Sequence, residues 1–85
     1  MKERGYITQN GLTVLRYLNE RMEAPSRSLG MAVLPPVGNE LPHAQIASVG
    51  RSVAMHLRRQ GLVTFLSDLR CWRITQAGRD ALAAS

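Results

Sequence analysis

Between Leu41 and Val63 the chain reads LPHAQIASVGRSVAMHLRRQGLV, and this stretch limits the fold more than any other. Ile46, Val49, Val53 and Leu57 recur at intervals of three and four, the spacing that lines one side of an α-helix. Pro42 suits a first helical turn, because the N–H it lacks would have no intrahelical partner there. Gly61 follows the last periodic residue, where a left-handed C-cap belongs. Gly50 interrupts the pattern. Either one helix runs through it at a cost of about 1 kcal/mol, or it marks a tight turn between a short helix over 42–47 and a longer one over 50–60. The turn is the expectation carried forward.

An apolar stripe of this kind needs other elements to cover it, and the flanking sequence offers them. Ile-Thr-Gln-x-Gly occurs twice, as Ile7–Gly11 and as Ile74–Gly78. In both copies an apolar residue precedes a threonine, and a helical pattern follows. Threonine is a good N-cap, because its hydroxyl accepts a hydrogen bond from a free backbone N–H of the first turn. Thr8 therefore opens a helix over 9–23, with Leu12, Leu15, Leu18 and Met22 on one face. Ile7 and Leu12 have the spacing of a hydrophobic staple. Thr75 opens a C-terminal helix over 76–83. Ala24-Pro25 ends the first helix, and residues 24–41 read as irregular, with a short apolar run at 31–34 that suits a small strand. Leu62–Leu66 is rich in β-formers, Ser67–Arg70 suits a turn, and Cys71–Ile74 suits a return strand, so 62–74 reads as a hairpin.

With 85 residues the chain is expected to form a single domain over 1–85, burying roughly 60–65% of its unfolded surface. At 45% hydrophobic it is too apolar for a disordered tail. No apolar run approaches the roughly 18 residues that suggest a membrane span, so no membrane partner is expected. The charged start, Met1–Gly5, has no apolar stretch behind it and does not look like a secretory leader. Cys71 is the lone cysteine, which excludes an internal disulfide. Together these features suit a cytoplasmic setting.

The net charge is +5, and its distribution is uneven. Residues 1–40 carry five basic and four acidic side chains, whereas residues 41–85 carry six arginines against Asp68 and Asp80. On a helical projection, Ala44, Ser48, Arg51, Met55 and Arg58 cluster opposite Val53, with Ser52 and Arg59 beside them. A surface arginine is often no more than part of a solvated face. Such faces usually mix signs, however, and there is no Asp or Glu between Leu41 and Leu66. Arginine can bond two acceptors on guanine, serine can bond a base or a phosphate, and methionine can touch a thymine methyl. The hairpin adds Arg70 at its tip and Arg73 on its return strand, both suited to phosphates. The candidate DNA-binding residues are therefore Ser48, Arg51, Ser52, Met55, Arg58, Arg59, Arg70 and Arg73.

Catalytic chemistry is not evident. There is no glycine-rich phosphate loop. His43, His56 and Cys71 lack zinc-ligand spacing, and the acids are too scattered to suggest an acid–base pair. No cofactor, no metal and no enzymatic activity are expected. Trp72 and Tyr17 read as core residues rather than stacking platforms, and His56 as a boundary residue placed to touch phosphate.

The order of elements resembles the winged helix-turn-helix fold of bacterial and phage transcription regulators, in particular the MarR-like and PadR-like groups. The resemblance rests on VAMHLRRQGLV and CWRITQAGRDAL and covers about 41–82. Leu57–Val63 matches the family's Leu-x-x-x-Gly-Leu-Val, and Ile74–Gly78 matches its Leu/Ile-Thr-x-x-Gly. It implies an α+β, mostly α fold: a three-helix core, a wing sheet of two or three strands and a short C-terminal helix. It also implies that 50–60 is the recognition helix, carrying Arg51, Ser52, Met55, Arg58 and Arg59, with Arg70 on the wing. The chain departs from the family around Ser48–Gly50, where the usual three- or four-residue turn is compressed. The function implied is sequence-specific binding of double-stranded DNA, as a homodimer on a two-fold site. The alternative is a winged-helix protein-binding module, such as a phage-encoded inhibitor or adaptor. It would dock through the apolar segment Leu29–Val37.

Overall fold

Both threonines cap helices in the computed structural model, which describes residues 7–34 and 41–85. Thr8 Oγ1 accepts from the Gly11 N–H at 3.0 Å and opens α1 (Gln9–Arg21). Thr75 Oγ1 accepts from the Gly78 N–H at 3.1 Å and opens the C-terminal helix α4 (Gln76–Ala84). To number the elements in chain order, α1 is followed by β1 (Glu23–Ala24), α2 (Ser26–Val33), α3 (His43–Arg59), β2 (Val63–Leu66), β3 (Cys71–Ile74) and α4. Among the described residues this is an α+β arrangement, mostly helical, with four helices and one antiparallel sheet in the order β1-β3-β2. None of these helices is long and apolar enough to cross a membrane.

Helix α1 stops at Arg21, two residues before the expected Glu23. Met22 takes a positive φ of 72° while its N–H still reaches the Leu18 carbonyl at 2.7 Å. That turn frees Glu23 and Ala24 to pair with β3, opposite Arg73 and Trp72. Two residues carry no strand signal of their own. They become a strand because β3 offers them an edge.

The larger correction concerns residues 24–41. The expected small strand at 31–34 is absent: Met31–Val33 belong to α2 and Leu34 is its C-cap. Pro25 is the N-cap of α2, where its lack of a donor costs the helix nothing. The helix expected over 42–47 and the one expected over 50–60 are a single helix, α3, running through Gly50. The helix that precedes α3 is thus α2, and there is no turn at Ser48–Gly50. Pro35, Pro36, Val37 and Gly38, also read as irregular, lie outside the described residues, as does Met1–Gly5.

Gly50 is there for contact, not for a turn. A Cβ on it would run into the carbonyl oxygen of Ser26 and the backbone nitrogen of Gly30, and would sit 3.1 Å from the Gly30 Cα. Gly30 faces α3 in the same way, with a Cβ only 2.8 Å from the Ile46 carbonyl carbon. The two helices cross backbone to backbone at this glycine pair. The buried seam of α3 is accordingly Ile46, Gly50, Ala54 and Leu57, while Val49 and Val53 are only half-buried. The seam is rotated towards the small residues relative to the large-apolar stripe.

The core below is built from Val14, Leu15, Leu18, Leu29, Leu57, Leu62, Trp72 and Ile74, all buried. Helix α3 ends as Gly61 requires. Gly61 has φ 79°. Its N–H bonds the Arg58 carbonyl at 2.9 Å, and the Leu62 N–H bonds the Leu57 carbonyl at 3.0 Å. This is the paired closure of a Schellman cap, and it directs the chain straight into β2.

Candidate nucleic-acid interface

Crossing α2 at Gly50 sets the rotation of α3 and therefore the direction of its polar side chains. Ser48, Arg51, Ser52, Arg58 and Arg59 are exposed, and Met55 is half-buried. Arg51 and Met55 form a ridge with a groove on either side. One groove, about 530 Å³, lies between α3 and the hairpin and is lined by Ser26, Arg51, Met55, Arg58, Phe65, Ser67, Arg70 and Trp72. The other, about 520 Å³, runs along the far side of the helix past Ser48, Ser52, His56 and Arg59.

The hairpin wall of the first groove follows from its register. β2 and β3 pair Val63 with Ile74, Thr64 with Arg73, Phe65 with Trp72 and Leu66 with Cys71. Alternation puts Val63, Phe65, Trp72 and Ile74 on the face that looks towards the helices. Trp72 is buried, and its indole Nε1–H donates to Ser26 Oγ at 2.9 Å. This bond ties the sheet to the first residue of α2. The Phe65 ring lies 4.8 Å from the Trp72 ring at 58°, a tilted aromatic pair, and remains 38% exposed at the groove. The turn then brings Arg70 round. The Arg70 N–H bonds the Ser67 carbonyl at 3.3 Å, and Arg70 takes φ 53°. Its side chain joins Arg51 and Arg58 at the same groove.

Arg73 does not join them. It projects from the opposite face of the sheet, where its guanidinium bonds the Glu23 carboxylate at 2.6 Å. It serves the β1–β3 pairing. This is the one salt bridge among the described residues, and none of Arg51, Arg58, Arg59 or Arg70 has an acidic partner there. Their guanidinium donors are open to an external anion. Asp68 lies in the same turn as Arg70, and it is the nearest acid in sequence to the groove.

Seven of the eight candidate residues thus flank α3 or end the hairpin, and Arg73 stands apart. Ser26, Phe65 and Ser67 were not singled out in the sequence. Phe65 carried one signal, since strand alternation puts it on the same face as Trp72. Ser26 carried none, because its place depends on a helix that the sequence does not announce. Compared with protein-family models, curated proteins and solved structures, the chain has no match.

Proposed function

We propose that this chain is a winged-helix protein that binds double-stranded DNA and serves as a transcription regulator of bacterial or phage type. The observation that carries the reading is the convergence of Arg51, Arg58 and Arg70, without acidic partners among the described residues, on one groove between α3 and the hairpin. The order helix, strand, helix, helix, hairpin, with β3 between β1 and β2, supports the winged-helix assignment.

On this reading α3 enters the major groove, which is about 12 Å wide and accepts a helix of about 10–12 Å diameter. Ser48, Ser52, Met55 and Arg59 meet base edges or the far strand. The near sugar–phosphate strand runs between α3 and the hairpin, where Arg51, Arg58 and Arg70 neutralise its phosphates. Arg73 contributes nothing directly, because its guanidinium is engaged by Glu23. Of the segment that would serve the protein-module alternative, Leu29 and Gly30 are buried against the core and α3, Met31 is 48% exposed, and residues 35–37 lie outside the described residues.

The test is fluorescence anisotropy with a random duplex across a salt series. If Arg51, Arg58, Arg59 and Arg70 each neutralise one phosphate, the log–log salt slope is roughly −3.6 per protomer. The double variant Arg51→Ala/Arg58→Ala should lose about two units of that slope and weaken binding throughout. Parental affinity in the double variant, or no binding by the parent at low salt, refutes the proposal.

A further inference from the structure

Phosphate contact accounts for the three arginines of the hairpin groove but not for its floor. A sugar–phosphate strand has no use for a half-open phenylalanine. Yet Phe65 presents its ring beside Trp72 and lines the same groove as Met55, Arg51, Arg58 and Arg70. A cavity of about 530 Å³ lies within the usual range for small-molecule sites, roughly 300–1,000 Å³. Apolar walls with a few convergent charged groups are the common composition of such sites.

We infer that this groove binds a mononucleotide or a closely similar aryl phosphate, and that occupancy competes with duplex DNA. The charge selects the class. Three guanidiniums without acidic partners among the described residues suit a doubly charged phosphate monoester better than a single carboxylate. The flat face of Phe65 then takes the planar base, as aromatic side chains do for unstacked bases. Ser26 and Ser67 supply hydroxyls at the rim. The phosphate would sit where the proposed duplex puts its own, so both cannot be held together. The competition half of this inference rests on the function proposed above; the binding half does not.

Trp72 offers a direct readout, because it is the single tryptophan and its indole N–H bonds Ser26 at the groove wall. The indole N–H resonance of the intact protein is followed by NMR during titration with adenosine monophosphate, with adenosine and with inorganic phosphate. Adenosine monophosphate should give a saturable shift, with a Kd on the order of 0.01–1 mM, the tight end being set by typical ligand efficiencies. Both fragments should bind at least about tenfold more weakly. Phe65→Ala and Arg70→Asn, both at exposed positions, should each weaken binding about fivefold or more while leaving the circular dichroism spectrum unchanged. The absence of a saturable shift overturns the inference. So does equal binding of either fragment, since the ring or the charge would then contribute nothing. At ten times its Kd the nucleotide should raise the apparent Kd for a labelled duplex about elevenfold by simple competition. Unchanged duplex affinity at saturation overturns the competition. If the protein binds no duplex at all, the DNA reading fails, and the indole titration still decides the site.

Discussion

Replacing Gly50 with alanine tests the helix crossing on which the whole interface depends. In an exposed helix interior this change is favourable by about 1 kcal/mol, because alanine loses less backbone entropy. Here the new methyl overlaps the Ser26 carbonyl oxygen and the Gly30 nitrogen, and lies 3.1 Å from the Gly30 Cα. These are backbone atoms, so no side-chain rotation relieves the clash. Helix α2 must move away from α3 by roughly 1 Å, and overpacking of this kind costs about 1–3 kcal/mol or more. The shift also opens a gap beside Leu29 and Ala54, both fully buried, and such a gap forfeits about a quarter to a half of their dispersion contact. Set against the propensity gain, the net loss is about 2–3 kcal/mol. Each kcal/mol is worth about 4–8 °C in a domain this size, so Tm should fall by about 10–20 °C. Thermal and urea unfolding, followed by circular dichroism and Trp72 emission, measure it. Gly30→Ala should behave alike, with its Cβ 2.9 Å from the Ile46 Cγ2. The double variant should cost less than the sum, because one separation of the helices relieves both clashes. A Gly50→Ala protein as stable as the parent, or more so, would mean that α2 does not cross α3 at this point.

Other expectations follow from single contacts. Thr75→Ala should cost about 1–2 kcal/mol in urea unfolding, more than Thr8→Ala, because Thr75 Oγ1 also donates to the Gly61 carbonyl at 2.8 Å; equal costs would remove that second bond from the account. Gly61→Ala should destabilise by about 1–2 kcal/mol through its φ of 79° alone, since nothing lies within 4 Å of the added methyl. Asparagine there should cost less, and calorimetry of the pair separates conformational strain from clash. Arg73→Ala should change stability by less than about 1 kcal/mol, as expected for an exposed pair, and should leave the salt slope of duplex binding unchanged. A slope lowered by one unit would return Arg73 to the phosphate-binding set.

Much of the fold was legible because its signals are local. Thr8 and Thr75 announce helix starts through a hydroxyl that bonds an N–H three residues on. Gly61 announces a helix end through its own backbone conformation. The hairpin shows in its β-formers and short turn. The exposed side of α3 was legible in outline, because a run of arginines without acids needs no partner to be recognised. Helix α2 was not legible. Pro25 and Gly30 read as breakers until one sees that the first precedes the helix and the second is packed against Ile46. Arg73 read as a free cation because Glu23, fifty residues away in sequence, becomes its neighbour only when β1 pairs with β3.

The sequence by itself determined where α1 and α4 begin, where α3 ends and where the hairpin lies, and that one side of a central helix would carry arginine without acid. Those features depend on hydrogen bonds and backbone angles within a few residues of one another. Only the tertiary structure decided that Gly50 is a crossing point rather than a turn, that a second helix precedes it, and that Arg51, Arg58 and Arg70 share a groove with Phe65. A missing side chain looks the same in a sequence whether it permits a bend or admits another backbone, and only the atoms brought against it distinguish the two.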